Sequence, residues 1–253
     1  MNNFKEIAQN FVNSRILLVG DIMLDEYVKG EVSRISPEGP IPVLKVLSKK
    51  NVLGGAGNVF ANLCALKCKA NIIAVVGKDE AGIEISRKID SLNKDGNLLI
   101  EDESRPTTIK TRFVTPSQQL LRVDAEESAF INKDIENRIY EAVEKNIKDA
   151  AVVILSDYGK GVLTPDLTKK IINLANKNKK IIMVDPKGND YSKYKSATII
   201  TPNKKELSEA TENLPVKTNE DVVAAANTLI KKYVFKAVMA TRSEDGISII
   251  SKK

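Results

Sequence analysis

Short runs of β-branched and other apolar residues alternate along this chain with longer segments in which apolar residues recur at helical spacing. Helical spacing is seen, for example, at Ile135, Ile139, Val143 and Ile147. The short runs predict buried strands at residues 15–19, 71–76, 151–155, 180–184, 197–200 and 236–240. Strands that alternate with helices form a mostly parallel sheet with helices on both faces, so the sequence predicts an α/β fold.

Two segments depart from this alternation. Residues 40–47 and 107–123 alternate apolar and polar side chains, and the second segment bends near its middle at a Thr-Pro-Ser sequence, as a hairpin does. We predict from them a small antiparallel β lid outside the main sheet, with lid segments at about residues 27–48 and 105–124. The lid would belong to a single domain spanning residues 1–253, and would cover a site or join two copies of the chain.

Composition restricts the chemistry that the chain can perform. Its 253 residues contain no histidine, which excludes histidine triads, histidine general bases and histidine zinc sites. The two cysteines, Cys64 and Cys68, have no further ligand to complete a zinc site, and we interpret them as reduced helix residues. Carboxylates and lysines must therefore carry any chemistry.

The charged residues argue against nucleic acid and membrane partners. The 39 Lys and Arg residues are scattered among 33 Asp and Glu residues without a sustained basic block, so the net charge of +6 indicates a solvated surface and also suits phosphorylated small molecules.

The longest apolar runs are shorter than the ~20 residues that span a bilayer. Residues 1–13 have the spacing of an amphipathic helix and lack the apolar block of a signal peptide, so we predict a cytoplasmic protein.

Polar residues collect where the predicted strands end. In open α/β sheets ligands bind outside the carboxyl ends of the strands, and any single residue there is also explained by a helix cap or a turn. Taken together they outline one cleft. Its residues are Gly20, Asp21, Asp25, Gly77, Asp79, Ser156, Asp157, Lys160, Asp185, Lys187, Asn203, Glu206, Thr241 and Arg242.

Three glycines, Gly54, Gly55 and Gly57, precede a predicted helix at residues 59–67. Such a turn lets a ligand approach the backbone and the amino terminus of the helix closely. It is neither a Walker A loop nor a G-x-G-x-x-G fingerprint, so by itself it also fits an ordinary tight turn. Asn58 adds an amide that can both donate to and accept from sugar hydroxyls.

The motifs become specific when they are taken in order. They are GDIMLDEYVKGEVSRISPEGPIPVLKV at residues 20–46, GGAGN at 54–58, QQLLRVD at 118–124, SDYGKG at 156–161, DPKG at 185–188, TPNKKE at 201–206 and TRSEDG at 241–246. This series, spanning nearly the whole chain, resembles the heptose-7-phosphate kinase domain of the ADP-heptose synthases, in the ribokinase (PfkB) family of carbohydrate kinases. GD-x-x-x-D, GG-x-G-N and N-x-x-E are shared with the wider family, whereas RISPE and SDYGKG are similar to the heptose kinases in particular.

The resemblance implies a ribokinase-like fold and ATP-dependent phosphorylation of the anomeric hydroxyl of D-glycero-β-D-manno-heptose 7-phosphate, with Mg²⁺, in ADP-heptose and lipopolysaccharide core biosynthesis. It implies that Asp25 and Asn58 hold sugar hydroxyls beside Gly54 and Gly55. Carboxylate and amide groups suit this task because they fix the orientation of hydroxyls through paired hydrogen bonds.

The resemblance also names phosphate and nucleotide residues. The candidates for the substrate phosphate are Lys160, Lys187 and Arg122, with Asp185 organising their pocket; the N-x-x-E residues Asn203 and Glu206 would act on Mg²⁺ through water, and Thr241 and Gly246 match residues beside the nucleotide. Both lysines also fit a role as surface residues at loop ends. The arginine also fits an ion pair within the lid.

The family's catalytic base lies in a glycine-rich turn, D-T-x-G-A-G-D, that follows the TRSEDG strand. The sequence ends at Lys253 before such a turn, so we expect the base to lie beyond Lys253 and assign no catalytic residue. Two alternatives stay open, another sugar or sugar-phosphate kinase of the same fold and an inactive sugar-phosphate-binding or dimerisation module. A homodimer formed through the lid is a further expectation.

Overall fold

The computed structural model of this protein describes residues 10–252. The helices are α1 (Ala56–Ala65), α2 (Glu80–Leu92), α3 (Lys133–Asn146), α4 (Pro165–Lys177), α5 (Lys204–Ala210) and α6 (Asn219–Tyr233). The strands are β1 (Arg15–Gly20), β2 (Ile22–Ile35), β3 (Pro42–Gly55), β4 (Lys69–Gly77), β5 (Leu98–Asp102), β6 (Ile109–Val114), β7 (Gln119–Ala125), β8 (Val152–Ser156), β9 (Ile181–Asp185), β10 (Ile199–Ile200), β11 (Ala237–Thr241) and β12 (Ile247–Ser251). Of the helix predicted at residues 1–13, residues 1–9 lie outside the described part, and Asn10–Asn13 form a 3-10 turn.

The main sheet contains, within residues 10–252, eight strands in the order β12-β11-β10-β9-β8-β1-β4-β5. Every neighbouring pair is parallel except β11 and β12. The central strand β1 alternates between two hydrophobic cores, because Leu17 and Val19 pack with α3 and α4 whereas Leu18 packs with α1 and α2. Helices therefore cover both faces, and the predicted α/β fold is confirmed.

The two faces are covered unequally. In the part of the sheet formed by β9, β10, β11 and β12, helices α4, α5 and α6 of the described chain cover the face that carries Ile182, Val184 and Val238. These three side chains are fully buried. On the second face Ile247 is 62% exposed and Ile249 is 70% exposed. None of the helices described here is both long enough and apolar enough to cross a bilayer.

The smaller sheet has the strand order β3-β2-β6-β7. Strands β2 and β3 pair antiparallel, as do β6 and β7, which confirms a small sheet outside the main layer. The pair β2 and β6 is parallel, an arrangement that the alternating pattern did not predict. Strand β2 begins at Ile22, just after β1, and β3 ends at Gly55, just before α1, so this end of the smaller sheet lies beside the main sheet. The predicted lid segments at about residues 27–48 and 105–124 overlap the strands of the smaller sheet.

Several boundaries differ from the predicted ones. Helix α1 begins at Ala56, inside the glycine turn, and Gly55 occupies its N-cap with φ of 56°, a conformation that favours glycine. The predicted strand at 197–200 is reduced to Ile199 and Ile200. Strands β5 and β12 were not predicted, since each is short and mixes apolar with acidic or serine residues.

Adjacent residues of β9 provide a direct test of which face is buried. Ile182 is fully buried and Ile181 is 45% exposed. We expect Ile182→Ala to lower the free energy of unfolding by about 2–5 kcal/mol, because it leaves a cavity in the core. Ile181→Ala, the matched control, should lower it by less than about 1 kcal/mol. Urea unfolding of both variants measures the difference, and equal losses would contradict the assigned faces.

Candidate functional site

A cavity of about 460 Å³ opens at the carboxyl ends of β8, β9 and β11. Its polar lining residues are Ser156, Asp157, Tyr158, Asp185, Lys187, Thr201, Asn203, Glu206 and Thr241, and its apolar lining includes Val59, Ile154, Met183 and Met239. Five of the residues predicted for phosphate, metal and nucleotide therefore lie around one space: Asp185, Lys187, Asn203, Glu206 and Thr241. Parallel pairing produces this arrangement, since it brings the ends of all these strands to one edge.

The predicted sugar-binding residues meet where β2 and β3 join α1. Asp25 lies on β2 opposite Val52, and a Cβ atom on Gly54 would lie 2.5 Å from Asp25 Oδ2, so a side chain at position 54 would displace the carboxylate. Gly55 makes the turn into α1. Asn58 is exposed in the first turn of that helix. The cluster thus places a carboxylate and an amide beside the glycine turn.

Asp25 has a partner that the sequence did not reveal. The guanidinium of Arg112 on β6 donates a hydrogen bond to the Asp25 carboxylate and lies 5.4 Å from the centre of the Tyr27 ring. This hydrogen bond raises the pKa of Arg112 further. The contact depends on the parallel pairing of β2 with β6, which no local pattern predicts.

Lys160 is held by the segment that follows the lid. Its Nζ donates to Glu126 Oε1 at 2.6 Å, and Lys110 Nζ donates to Glu126 Oε2 at 2.9 Å. These two bonds lower the pKa of Glu126, with the bond to Lys160 the larger cause. An anionic ligand at Lys160 would therefore replace an existing carboxylate partner.

Arg122 takes the other role considered for it. It lies on β7, is half exposed, and its Nε donates to Asp124 Oδ1 at 2.9 Å. Lys110 Nζ also donates to Asp124, at 2.8 Å. The structure thus places Arg122 in an ion pair within the lid, and it does not line the cavity at the strand ends.

Asp185 lies at the end of β9 and accepts a hydrogen bond from Thr201 Oγ1 at 3.2 Å. Burial is the main cause that raises its pKa to about 6, and the negative charge of Glu206 adds to this effect. Lys187 Nζ lies 3.7 Å from Glu206 Oε1, and the Lys187 side chain is about half exposed. Thr201 was not predicted as a site residue, although it begins the TPNKKE motif.

The N-x-x-E motif first of all caps a helix. Asn203 Oδ1 accepts from the Glu206 N–H at 2.9 Å, and Glu206 Oε2 accepts from the Asn203 N–H at 3.0 Å, which is a capping box at the start of α5. Both residues nevertheless line the cavity. The cap fixes the Glu206 carboxylate in place, so its structural and its predicted chemical roles are compatible.

Asp157, the second residue of the SDYGKG loop, is buried and fixes the loop through hydrogen bonds. Its carboxylate accepts from Lys193 Nζ at 2.6 Å, from the Tyr194 hydroxyl at 2.7 Å and from the Gly159 N–H at 2.8 Å. The Lys187 N–H in turn donates to the Tyr194 hydroxyl at 3.1 Å. This network joins the SDYGKG and DPKG segments.

The predicted nucleotide residues are only partly brought together. Thr241 ends β11, forms a bridge to Asn203 and lines the cavity. Gly246 lies in an exposed turn with φ of 80°, outside the residues that line the cavity. The structure therefore associates Thr241, but not Gly246, with the other site residues.

Residues 10–252 contain no group of three or more acidic, cysteine or histidine side chains able to enclose a metal ion. Asp185 and Glu206 are close enough for each to raise the energy of the other's negative charge, and a cation between phosphates and these carboxylates would offset that repulsion. Mg²⁺ usually keeps several waters and binds through one or two carboxylates plus substrate phosphates. The donor set fits a water-mediated Mg²⁺ and not an all-protein cage.

Comparison with known proteins identifies relatives of the chain. The family model described as pfkB family carbohydrate kinase matches residues 13–253. The chain is 43% identical over 238 residues to the bifunctional protein HldE of Campylobacter curvus (strain 525.92), covering 94% of this chain and 50% of that protein. It is 44% identical over 237 residues to the bifunctional protein HldE of Aliarcobacter butzleri (strain RM4018), with the same coverages. The chain spans about half the length of the curated relatives it matches.

Solved structures share the fold. The tetrameric inhibited form of phosphofructokinase-2 from Escherichia coli superposes with a TM-score of 0.76 at 19% identity, covering 95% of this chain and 77% of that chain. Arabidopsis thaliana ribokinase complexed with ribose and ATP superposes with a TM-score of 0.69 at 19% identity, covering 94% of this chain and 75% of that chain. These likenesses confirm the predicted ribokinase-like architecture.

The raised pKa of Asp185 predicts a pH-dependent stability. Its value of about 6 lies above the 3.8 of an ordinary aspartate, so between these values the folded chain binds more protons than the unfolded chain. The contribution of Asp185 to stability therefore falls by roughly 2–3 kcal/mol as pH rises from about 4 to about 6, and is level above that.

Asp185→Asn removes this titration. We expect the free energy of unfolding of the variant, relative to the original chain, to increase from pH 4 to pH 6 and then stay constant. Urea unfolding of both chains at half-unit intervals of pH measures the difference. A difference that does not change with pH would contradict the assigned burial of the carboxylate.

Proposed function

The chain belongs to the pfkB family of carbohydrate kinases, and from this membership we propose that it phosphorylates the anomeric hydroxyl of D-glycero-β-D-manno-heptose 7-phosphate with ATP. The product would be the 1,7-bisphosphate, used in making ADP-heptose for the lipopolysaccharide core. The observation that carries the proposal is the cavity at the strand ends, which gathers the predicted phosphate, metal and nucleotide residues. The 43% identity to a bifunctional protein HldE supports the same assignment. The RISPE and SDYGKG motifs support the heptose substrate.

The sugar would bind at the turn between β3 and α1. Asp25 and Asn58 would hold hydroxyls beside Gly54 and Gly55, whose lack of a side chain leaves room for the Asp25 carboxylate and for the turn into α1. Arg112 supports this assignment, because its hydrogen bond fixes the Asp25 carboxylate before substrate binds. A carboxylate accepts hydrogen bonds, and sugar hydroxyls can donate them.

The 7-phosphate would bind cations at the edge of the cleft. Lys160 is the strongest candidate, since its side chain is largely buried and already pairs with an anionic group, the carboxylate of Glu126. Lys187 and Arg122 remain candidates for the same role, each paired with a carboxylate now, Glu206 and Asp124 respectively. Binding would exchange these carboxylates for phosphate oxygens.

The nucleotide would lie toward Thr241 and Gly246, and the family uses ATP. Asn203 and Glu206 would hold Mg²⁺ through water, with Asp185 organising the pocket. When bound, the metal would neutralise charge on the phosphates during transfer. The side chains themselves would position the phosphates and keep both substrates in line. We assign the catalytic base to none of the described residues.

A homodimer formed through the lid and a location in the cytoplasm are also part of the proposal. The smaller sheet exposes large apolar side chains: Ile35 is 59% exposed, Leu47 59% and Leu121 56%. A second copy of the chain would cover these residues. ATP and phosphorylated sugars are available in the cytoplasm.

Ligand-induced stabilisation tests the substrate. A ligand present at 100 times its dissociation constant stabilises the folded state by about 2.7 kcal/mol. We expect heptose 7-phosphate to raise the melting temperature by a few degrees, and fructose 6-phosphate to raise it less. A larger effect of fructose 6-phosphate would favour another sugar-phosphate kinase. No effect of any sugar phosphate would contradict the site, and turnover of a sugar phosphate under Mg-ATP would contradict the inactive binding module.

Lys160→Ala tests the phosphate position. The loss of a charge-assisted hydrogen bond should weaken binding of heptose 7-phosphate by about 10- to 100-fold, measured by titration calorimetry. Lys180→Ala is the control, since Lys180 bonds the Lys148 carbonyl at the amino-terminal end of β9, at the opposite edge of the sheet. Equal affinities of the two variants would contradict the role of Lys160.

A further inference from the structure

Asp21 is a buried carboxylate with no role in the scheme above. It follows β1, its residue is 1% exposed, and within residues 10–252 its side chain accepts only from backbone N–H groups. Oδ2 accepts from Tyr158 at 2.8 Å and from Lys160 at 3.1 Å, and Oδ1 accepts from Val162 at 3.1 Å. One carboxylate therefore holds alternate residues of the SDYGKG loop and the residue after it.

The loop is built to surround this anion. Gly159 has φ of 68° and Gly161 has φ of 86°, and this alternation of left-handed glycines turns alternate N–H groups, those of residues 158, 160 and 162, toward one carboxylate. The intervening Gly159 N–H is bound separately by Asp157. A Cβ atom on Gly161 would lie 2.0 Å from the Ala129 carbonyl oxygen, so the loop is also closely packed from outside.

The backbone of Asp21 joins the loop to the sugar side of the site. Its N–H donates to the Ser156 carbonyl at 3.1 Å, and its carbonyl accepts from the Ala56 N–H at 2.9 Å. A Cβ atom on Gly55 would lie 2.4 Å from that same carbonyl oxygen. Asp21 thus contacts both the glycine turn beside Asp25 and the loop that carries Lys160.

Burial of the Asp21 carboxylate has an electrostatic cost. Burial raises the pKa of Asp21, and the neighbouring Asp157 raises it further, while the three N–H groups oppose both effects. A neutral side chain of the same shape would avoid the burial of charge, yet it would lose an acceptor, since an amide offers one oxygen where the carboxylate offers two.

We infer that Asp21 is a positioning residue for sugar-phosphate binding, which fixes Tyr158 and Lys160 relative to the sugar-binding turn. The inference rests on the proposed function, and it assigns Asp21 no contact with substrate. It acts through the loop backbone: with the N–H groups of 158, 160 and 162 fixed, the Lys160 side chain starts from one defined point relative to the glycine turn. Without that anchor the loop samples several positions and the affinity for the phosphate falls.

Asp21→Asn tests the inference with two readouts. Hydrogen exchange of individual amides, followed by NMR, should become at least about tenfold faster at one or more of residues 158, 160 and 162, and should stay unchanged at Gly159. The affinity for heptose 7-phosphate, measured by calorimetry, should fall at least about tenfold, while the affinity for Mg-ATP changes less than about twofold. Loss of fold alone would reduce the binding-competent fraction for both ligands equally.

The matched control is Asp221→Asn. Asp221 also accepts backbone N–H bonds, from Thr218 at 2.9 Å and Lys217 at 3.2 Å, but at the start of α6 and outside the SDYGKG loop. This control should leave the affinity for the sugar phosphate unchanged. Faster exchange in Asp21→Asn without a loss of sugar-phosphate affinity overturns the inference, and so does unchanged exchange. If the original chain itself binds no sugar phosphate, the proposed function is wrong, and the exchange data still decide whether Asp21 anchors the loop.

Discussion

Parallel pairing of β8 with its neighbours β1 and β9 determines where the loops around the strand-end cavity begin. Gly20 at the end of β1 is in register with Ser156 at the end of β8, and Ser156 is in register with Asp185 at the end of β9. The loops that leave these strands therefore begin side by side. A Cβ atom on Gly20 would lie 2.1 Å from the Ser156 carbonyl oxygen, so the close approach of the first two loops requires glycine at that point. In the proposed function, phosphate and nucleotide groups would meet because the strands end in one row.

Charge pairing then fixes the side chains that this row brings together. Partly buried cations in the site face carboxylates in the unliganded chain, as Arg112 faces Asp25 and Lys160 faces Glu126. An unpaired charge in such surroundings would lose hydration without compensation. The carboxylates hold the cations in place, and in the proposed reaction substrate binding would exchange one anionic partner for another. The proposed specificity for a phosphorylated sugar would follow from this exchange, because an uncharged sugar cannot replace the carboxylates.

Sequence patterns predicted what depends on neighbouring residues and missed what depends on distant pairing. Apolar runs located six strands of the main sheet, because a buried parallel strand is apolar on both faces. The polar residues that follow these strands could be predicted because the apolar runs located the strand ends. Arg112 and Glu126 were missed, since their roles depend on the parallel pairing of β2 with β6 and on the path of the chain after β7. Strands β5 and β12 were missed because edge strands carry a weaker apolar signal. The local motif around Asn203 was read as chemistry, although it also forms a capping box.

A crystal structure of the chain with heptose 7-phosphate and a non-hydrolysable ATP analogue tests the central claim most directly. We predict the sugar beside Asp25 and Asn58, its phosphate on Lys160 in place of Glu126, and the triphosphate toward Glu206. The loop at residues 156–162 should keep its hydrogen bonds to Asp21. Sugar density elsewhere, for example in the groove between α6 and β12 near Phe235, or a Lys160 still paired with Glu126 in the complex, would contradict it.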